Sequence, residues 1–177
     1  MVDVTEYDPV WPSLFAEVRD HVWPHVRDIA ITIEHVGSTS VPGLAAKPII
    51  EVDVVIPRRL KLMGIVMRLA GVGYRHRGDL GIADREAFHV PPGLPAHHLY
   101  VCRLGSVALR NHLTLRDHLR QHQQDAAAYA ALKRNLSRDG VDMDEYTRKK
   151  TDFIISILSR YSFSDDELTS IRRANLS

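Results

Sequence analysis

Residues 35–55 read HVGSTSVPGLAAKPIIEVDVV. An apolar run ends in Gly37-Ser38, a loop with Pro42, Gly43 and Lys47 follows, and a strand-like run then carries Glu51 and Asp53 one residue apart. Successive side chains of a strand point to opposite faces, so Glu51 and Asp53 share one face and Ile50, Val52 and Val54 the other. Two neighbouring carboxylates on an apolar strand repel each other and resist burial. The pattern asks for a cation between them, and a divalent metal is the usual one. Gly37 lets the backbone approach a ligand closely, and Ser38 offers a hydroxyl and an N–H. The stretch predicts a metal–phosphate site.

Upstream, residues 30–36 (AITIEHV) read as the strand that feeds the Gly-Ser turn, and 48–56 (PIIEVDVVI) as a second strand, apolar enough to be central. Apolar residues at 11, 14, 15, 18, 22 and 26 have the period of an amphipathic helix. Pro12 suits its first turn and Pro24 bends or ends it. Residues 2–7 alternate weakly, as a short edge strand would, up to Asp8-Pro9. Downstream, a helix is expected over 60–69, closed by Gly71 and Gly73, then short strands at 73–77 and 85–90 and a strand at 97–103 (HHLYVCR). From 106 onward the pattern is helical: about 106–122, 124–138, 142–161 and 165–173, with a break at Asp139-Gly140. The fold class expected is α/β (α+β), a mixed sheet packed with helices. One domain spans 1–177, its α/β core about 1–104 and a helical subdomain about 105–177.

The 177 residues suffice for a sizeable core, with 45% hydrophobic residues. Charged residues make up 25% and the net charge is only +1, which gives no field-based case for nucleic acid or an anionic membrane as partner. The single cysteine, Cys102, excludes a disulfide framework and a multi-cysteine zinc site, and it reads as a small core residue. The N-terminus has no signal-peptide pattern and no apolar run reaches membrane-spanning length, so a cytoplasmic location is expected.

Placing the helical residues around their axes brings out misplaced charges. His112 and Arg116 fall within the face defined by Leu109, Leu113, Leu115 and Leu119. Lys150 falls within the face of Tyr146, Phe153, Ile154, Ile157 and Tyr161, and Lys133 lies at the edge of a face beside Tyr129. Inward cations are costly unless they meet anions. Each one alone is accounted for by a buried carboxylate or by reaching out to solvent. For the set, convergence on one anionic ligand, a phosphate chain, is the more economical account. Of ten histidines, His118 and His122 are four apart on one helix but at its polar margin, where solvated surface positions are expected. His98 shares a strand face with Tyr100 and Cys102 and is positioned to face a pocket. No HExxH or comparable zinc spacing occurs.

The chain resembles the GrpB family of the nucleotidyltransferase superfamily. The resemblance rests on YDPVWP, EHVGSTSVPGLAAKPIIEVDVVI, GDLGIADREAF, HHLYVC, LRDHLRQH, YAALKRNL and YTRKKTDFI. It implies a nucleotidyltransferase-like core in which Gly37-Ser38 hold a triphosphate and Glu51 and Asp53 bind magnesium, or manganese. It also implies in-line attack on the α-phosphate. GrpB-like segments fused to dephospho-CoA kinase imply a second role, as a non-catalytic nucleotide-binding module beside a coenzyme A pathway enzyme. Glu51 stands where an aspartate is common in the family. The third carboxylate of active nucleotidyltransferases has no counterpart on the 97–103 strand, which presents His98 and Tyr100. Glu86 is a substitute whose direction its neighbours leave open.

The expected activity is binding of a nucleotide or phosphorylated small molecule with a divalent metal, and nucleotidyl transfer to an acceptor. Gly37, Ser38, Ser40, Lys47, Arg85, His98, Arg116, Lys133 and Lys150 are the expected phosphate and nucleotide contacts, with Glu51 and Asp53 as metal ligands and catalytic carboxylates.

Overall fold

The strand β2 (Ile50–Ile56) buries Ile50, Val52, Val54, Val55 and Ile56 and so needs cover on both faces. In the computed structural model, which describes residues 3–57 and 62–176, it lies inside a five-stranded sheet. Its companions are β1 (Thr32–Val36), β3 (Arg75–Gly78), β4 (Arg85–His89) and β5 (His97–Arg103), in the order β1-β2-β5-β4-β3. β2 runs antiparallel to β1 and parallel to β5, and β4 runs antiparallel to both β5 and β3. The sheet is mixed, and with its helices it gives the α+β class expected from the sequence.

One face of the sheet is apolar. Ile33, Ile50, Val52, Val54, Leu99, Val101 and Phe88 pack on Val18, Val22 and Val26 of α1 (Trp11–Val26) and on Ile65 and Leu69 of α2 (Leu62–Ala70). By register, the other face carries Glu34, Glu51, Asp53, Val55, His98, Tyr100, Cys102 and Arg85. α3 (Val107–Gln121) crosses this face, its start capped by Ser106, whose hydroxyl accepts from the Leu109 N–H. Leu109 buries against Val55 and Cys102. α4 (Gln123–Arg138), α5 (Met143–Leu158) and α6 (Asp165–Leu176) build a second core with α3. It contains Leu119, Tyr129, Ile154, Ile157, Leu158 and Ile171, together with Val41 and Leu44 from the loop before β2.

α1 ends at Val26, two residues after Pro24. Two expectations are revised. Residues 3–7 form no strand; Thr5 makes a single bridge to Ala46. α5 ends at Leu158, so Tyr161 lies beyond the helix whose face it is expected to share. The first residues of the helix expected over 60–69 fall outside those described. No described helix is long and apolar enough to cross a membrane.

Leu69 is wholly buried where α2 meets the sheet. Leu69→Ala is expected to lower unfolding free energy by about 2–5 kcal/mol, measured by urea denaturation.

Candidate functional site

The turn after β1 takes its shape from Gly37, at φ 70° and ψ −173°. A side chain is disfavoured there by the backbone, and would also have to displace the end of the Glu51 side chain. The conformation is one that other residues rarely adopt, and a Cβ would lie 2.5 Å from the Glu51 Cδ. A short 3-10 helix, Ser38–Ser40, follows. The Ser40 hydroxyl donates to Gly37 O at 2.6 Å, while Arg120 donates twice to Ser40 O, at 3.0 and 2.7 Å. His35, stacked on Phe15, contacts Thr39 Oγ1 at 3.1 Å. Burial first, and then the charges of Arg120 and Arg116, push its pKa down to about 4, so it is neutral. Ser38 is left free to face inward.

A cavity of about 290 Å³ opens between this turn, the polar sheet face and helices α3, α4 and α5. Gly37, Ser38, Glu51, Arg85, His98, Tyr100, Arg116 and Lys150 line it. A smaller cavity of about 150 Å³ adjoins it, sharing Ser38, Glu51, His98 and Lys150 and adding Lys47 and Lys133. Burial, reinforced by the Glu51 charge, lifts the Tyr100 hydroxyl to about 12, so it remains a hydrogen-bond donor.

The two carboxylates of β2 have different fates. Glu51 lines both cavities. Asp53 is wholly buried beneath them, and its Oδ2 lies 2.7 Å from His112 Nδ1. Burial opposes charge on His112, but Asp53 and then Glu51 outweigh it and raise the imidazole above its ordinary value. Asp53 Oδ1 is buried with no hydrogen-bond partner of ordinary geometry; the thiol of Cys102, pushed well up by burial and then by the Asp53 charge, is the weak donor beside it. Glu86 points to the opposite side of the sheet from Asp53, by the register of β4 on β5 and β5 on β2, and meets His76 at 2.7 Å. It brings no third carboxylate to the cavity.

Lysines collect around Ser38. Lys133 is only 2% exposed, and its Nζ donates to Ser38 Oγ at 2.9 Å while lying 4.4 Å from the Tyr129 ring centre. Burial first, and then Lys150, depress its pKa to about 7. Burial and Lys150 likewise lower Lys47. Among the described residues, none of Lys47, Lys133 and Lys150 makes an ion pair. Arg116 lines the same cavity but its guanidinium is already met by Glu34 at 2.8 Å and Asp117 at 2.7 Å. Arg85 stacks 4.5 Å from the Tyr100 ring centre. Ser40, turned onto Gly37 O, does not line either cavity.

His118 departs from expectation. It is buried, held between Tyr161 Oη at 2.7 Å and Asp125 Oδ2 at 2.8 Å, because α4 and the chain after α5 cover that side of α3. His112 and Cys102 join the site residues only in the folded structure. Their signals in the sequence are a histidine on an apolar helix face and a cysteine on the strand face of His98 and Tyr100.

A family model described as GrpB protein matches residues 1–160. The chain belongs to the GrpB family. Its relatives include the UPF0157 protein PA4798 of Pseudomonas aeruginosa, 35% identical over 166 residues that cover 90% of this chain and 67% of that protein. The UPF0157 protein YqkA of Bacillus subtilis is 31% identical over 86% of this chain, which spans only 45% of its length. The solved GrpB of Enterococcus faecalis is similar over 97% of this chain and 98% of its own, with TM-score 0.77 and 28% identity. GLD-2 in its complex with RNP-8 has TM-score 0.57 and 11% identity, covering 90% of this chain and 62% of that one. The Cid1 poly(U) polymerase bound to MgGTP has TM-score 0.54 and 13% identity, covering 75% and 44%. These last two share a nucleotidyltransferase-type fold with the GrpB chain.

Two outcomes follow for the ligand-free protein. Gly37→Ala is expected to lower stability by about 1–3 kcal/mol, from backbone strain and displacement of Glu51, read as a fall in the thermal midpoint. The second concerns Lys133, which is charged in the unfolded chain up to about its ordinary value of 10.5 but neutral in the fold above about 7. The unfolded state therefore binds more protons in that window, and stability should rise with pH across it. Lys133→Met should flatten this rise in denaturation curves collected from pH 7 upward.

Proposed function

We propose that the protein binds the phosphate chain of a nucleoside triphosphate, or of another phosphorylated small molecule, against the Gly37-Ser38 turn. The observation that carries this reading is the convergence of Lys47, Lys133 and Lys150 on Ser38 with no carboxylate paired to any of them. Burial first, and then the charge of Lys150, depress Lys47 and Lys133, and a polyanion among the three restores the ordinary protonation of those two. Glu51, His98, Tyr100 and Arg85 supply the rest of the wall, and Arg116, neutralised by two carboxylates, shapes it. The fold shared with the Cid1 poly(U) polymerase, solved with MgGTP bound, favours a nucleotide as occupant.

Magnesium, the cofactor this fold implies, does not fit the residues present. It needs free oxygen ligands in near-octahedral array. Asp53 is buried with one oxygen on His112, and Glu86 faces away, so among the described residues Glu51 alone presents a carboxylate to the cavity. Binding without turnover is therefore the leading reading, in a module that serves a partner enzyme. Nucleotidyl transfer is the second, favoured by the likeness in fold to GLD-2 and Cid1.

Calorimetric titration with each nucleoside triphosphate, with magnesium or a chelator, tests the first reading. Triphosphates should bind and nucleosides should not, and Lys133→Met or Lys150→Met should weaken binding about tenfold or more. Because Lys133 must regain its proton to meet the anion, affinity should fall as pH rises above about 7, with proton uptake visible in buffers of different ionisation heat. Equal binding of nucleosides and triphosphates would overturn the assignment. Pyrophosphate release from the same mixtures, lost in Glu51→Gln, would establish transfer in place of simple binding.

A further inference from the structure

We propose that Asp53, Cys102 and His112 form a binding site for a divalent transition metal of the zinc class. The three donors come from three elements: a carboxylate on β2, a thiol on β5 and an imidazole on α3. One ligand atom from each lies within 4.8 Å of the others. The sheet register explains the first two. Asp53 stands beside Tyr100 and Val55 beside Cys102 on adjacent parallel strands, so Asp53 and Cys102 are diagonal neighbours on one face. The Ser106 cap starts α3 directly after β5 and carries His112 back over that face.

A simple Asp–His ion pair accounts for only part of this arrangement. It satisfies Asp53 Oδ2 and leaves to the buried Oδ1 only the Cys102 thiol, a weak donor for a charged acceptor. A metal among the three takes up the unused carboxylate valence and the thiol together. Metal–ligand bonds of about 2.0–2.3 Å need only a small separation of the His112 and Asp53 atoms.

The donor chemistry selects the ion. One oxygen, one nitrogen and one sulfur suit zinc, cobalt or iron(II), whereas magnesium, calcium and manganese take oxygen sets. On binding, the Cys102 thiol releases its proton to solvent, and thiolate and carboxylate together balance the charge of the divalent ion. Three protein ligands leave one coordination position, as in catalytic rather than structural zinc sites. His112 lines both the 290 Å³ cavity and a neighbouring cavity of about 310 Å³, so the site has an approach from either. This metal sits where the fold-implied magnesium does not fit, and its binding does not depend on nucleotide binding.

The single cysteine makes the test unambiguous. Untagged protein is stripped with a chelator and titrated with Co2+, then with Zn2+ in competition, in the absence of nucleotide. The expected result is one equivalent bound per chain with a sulfur-to-cobalt charge-transfer band and intense tetrahedral ligand-field bands, both displaced by Zn2+. Any such band can come only from Cys102. Cys102→Ser should abolish it and weaken Zn2+ binding more than about tenfold, with the circular dichroism spectrum unchanged. Should Cys102→Ser fail to fold, the wild-type cobalt spectrum decides alone, because the presence or absence of a sulfur-to-cobalt band in it reports on Cys102 directly. No tight Co2+ or Zn2+ binding, or a cobalt spectrum without sulfur character, would each overturn the proposal. Nucleotide titration of the same samples separates its failure from failure of the phosphate reading.

Discussion

The polar face of β2 is the constraint on which the rest of this protein depends. The strand is buried on both sides, yet Glu51 and Asp53 stand on one of them, and Glu34 of β1 lies directly beside Asp53 by register. Three carboxylates in a small patch of sheet cannot be covered by an apolar layer. The helices that cover them must bring cations, and they do so in a graded way. Arg116 takes Glu34 and His112 takes Asp53, both from α3. Around Glu51 the charge is overbalanced, since Lys133 of α4, Lys150 of α5 and Lys47 of the preceding loop all approach and none closes an ion pair.

That gradient gives the cleft its direction. At the α3 side charges are matched and side chains are held. At the side of the Gly-Ser turn there is a surplus of positive charge, partly relieved by depressed lysine pKa values. The turn itself lies against Glu51, and a glycine at its positive φ lets the backbone pass without displacing the carboxylate. Turn and strand therefore form one unit, in which the conformation of residue 37 and the position of the Glu51 side chain are mutually dependent.

Much of this was legible in the sequence. The strand pattern of 48–56 and the period of α1 come from local alternation, and they located the elements to within a few residues. Helical position also brought out Lys133, Lys150 and Arg116 as inward cations, since the apolar stripe that must be buried is written in the spacing itself. What spacing does not encode is which partner waits on the other side. Arg116 met carboxylates from β1 and its own helix, while Lys133 met only a hydroxyl and a ring. The burial of His118 is hidden from its own helix for the same reason. Its own helix places it at a polar margin, and its burial is supplied by Asp125 and Tyr161 from elsewhere.

The sequence by itself determined the α+β class, the order of the elements, the Gly-Ser turn beside an acidic strand, and membership of the GrpB family, because these rest on local pattern and on motif. Only the tertiary structure decided that Glu86 faces away, that Ser40 turns onto its own backbone, and that Asp53, Cys102 and His112 meet at one point. Those outcomes depend on strand order, register and the angle at which α3 returns across the sheet. They are properties of pairs of elements, and no single stretch of chain contains them.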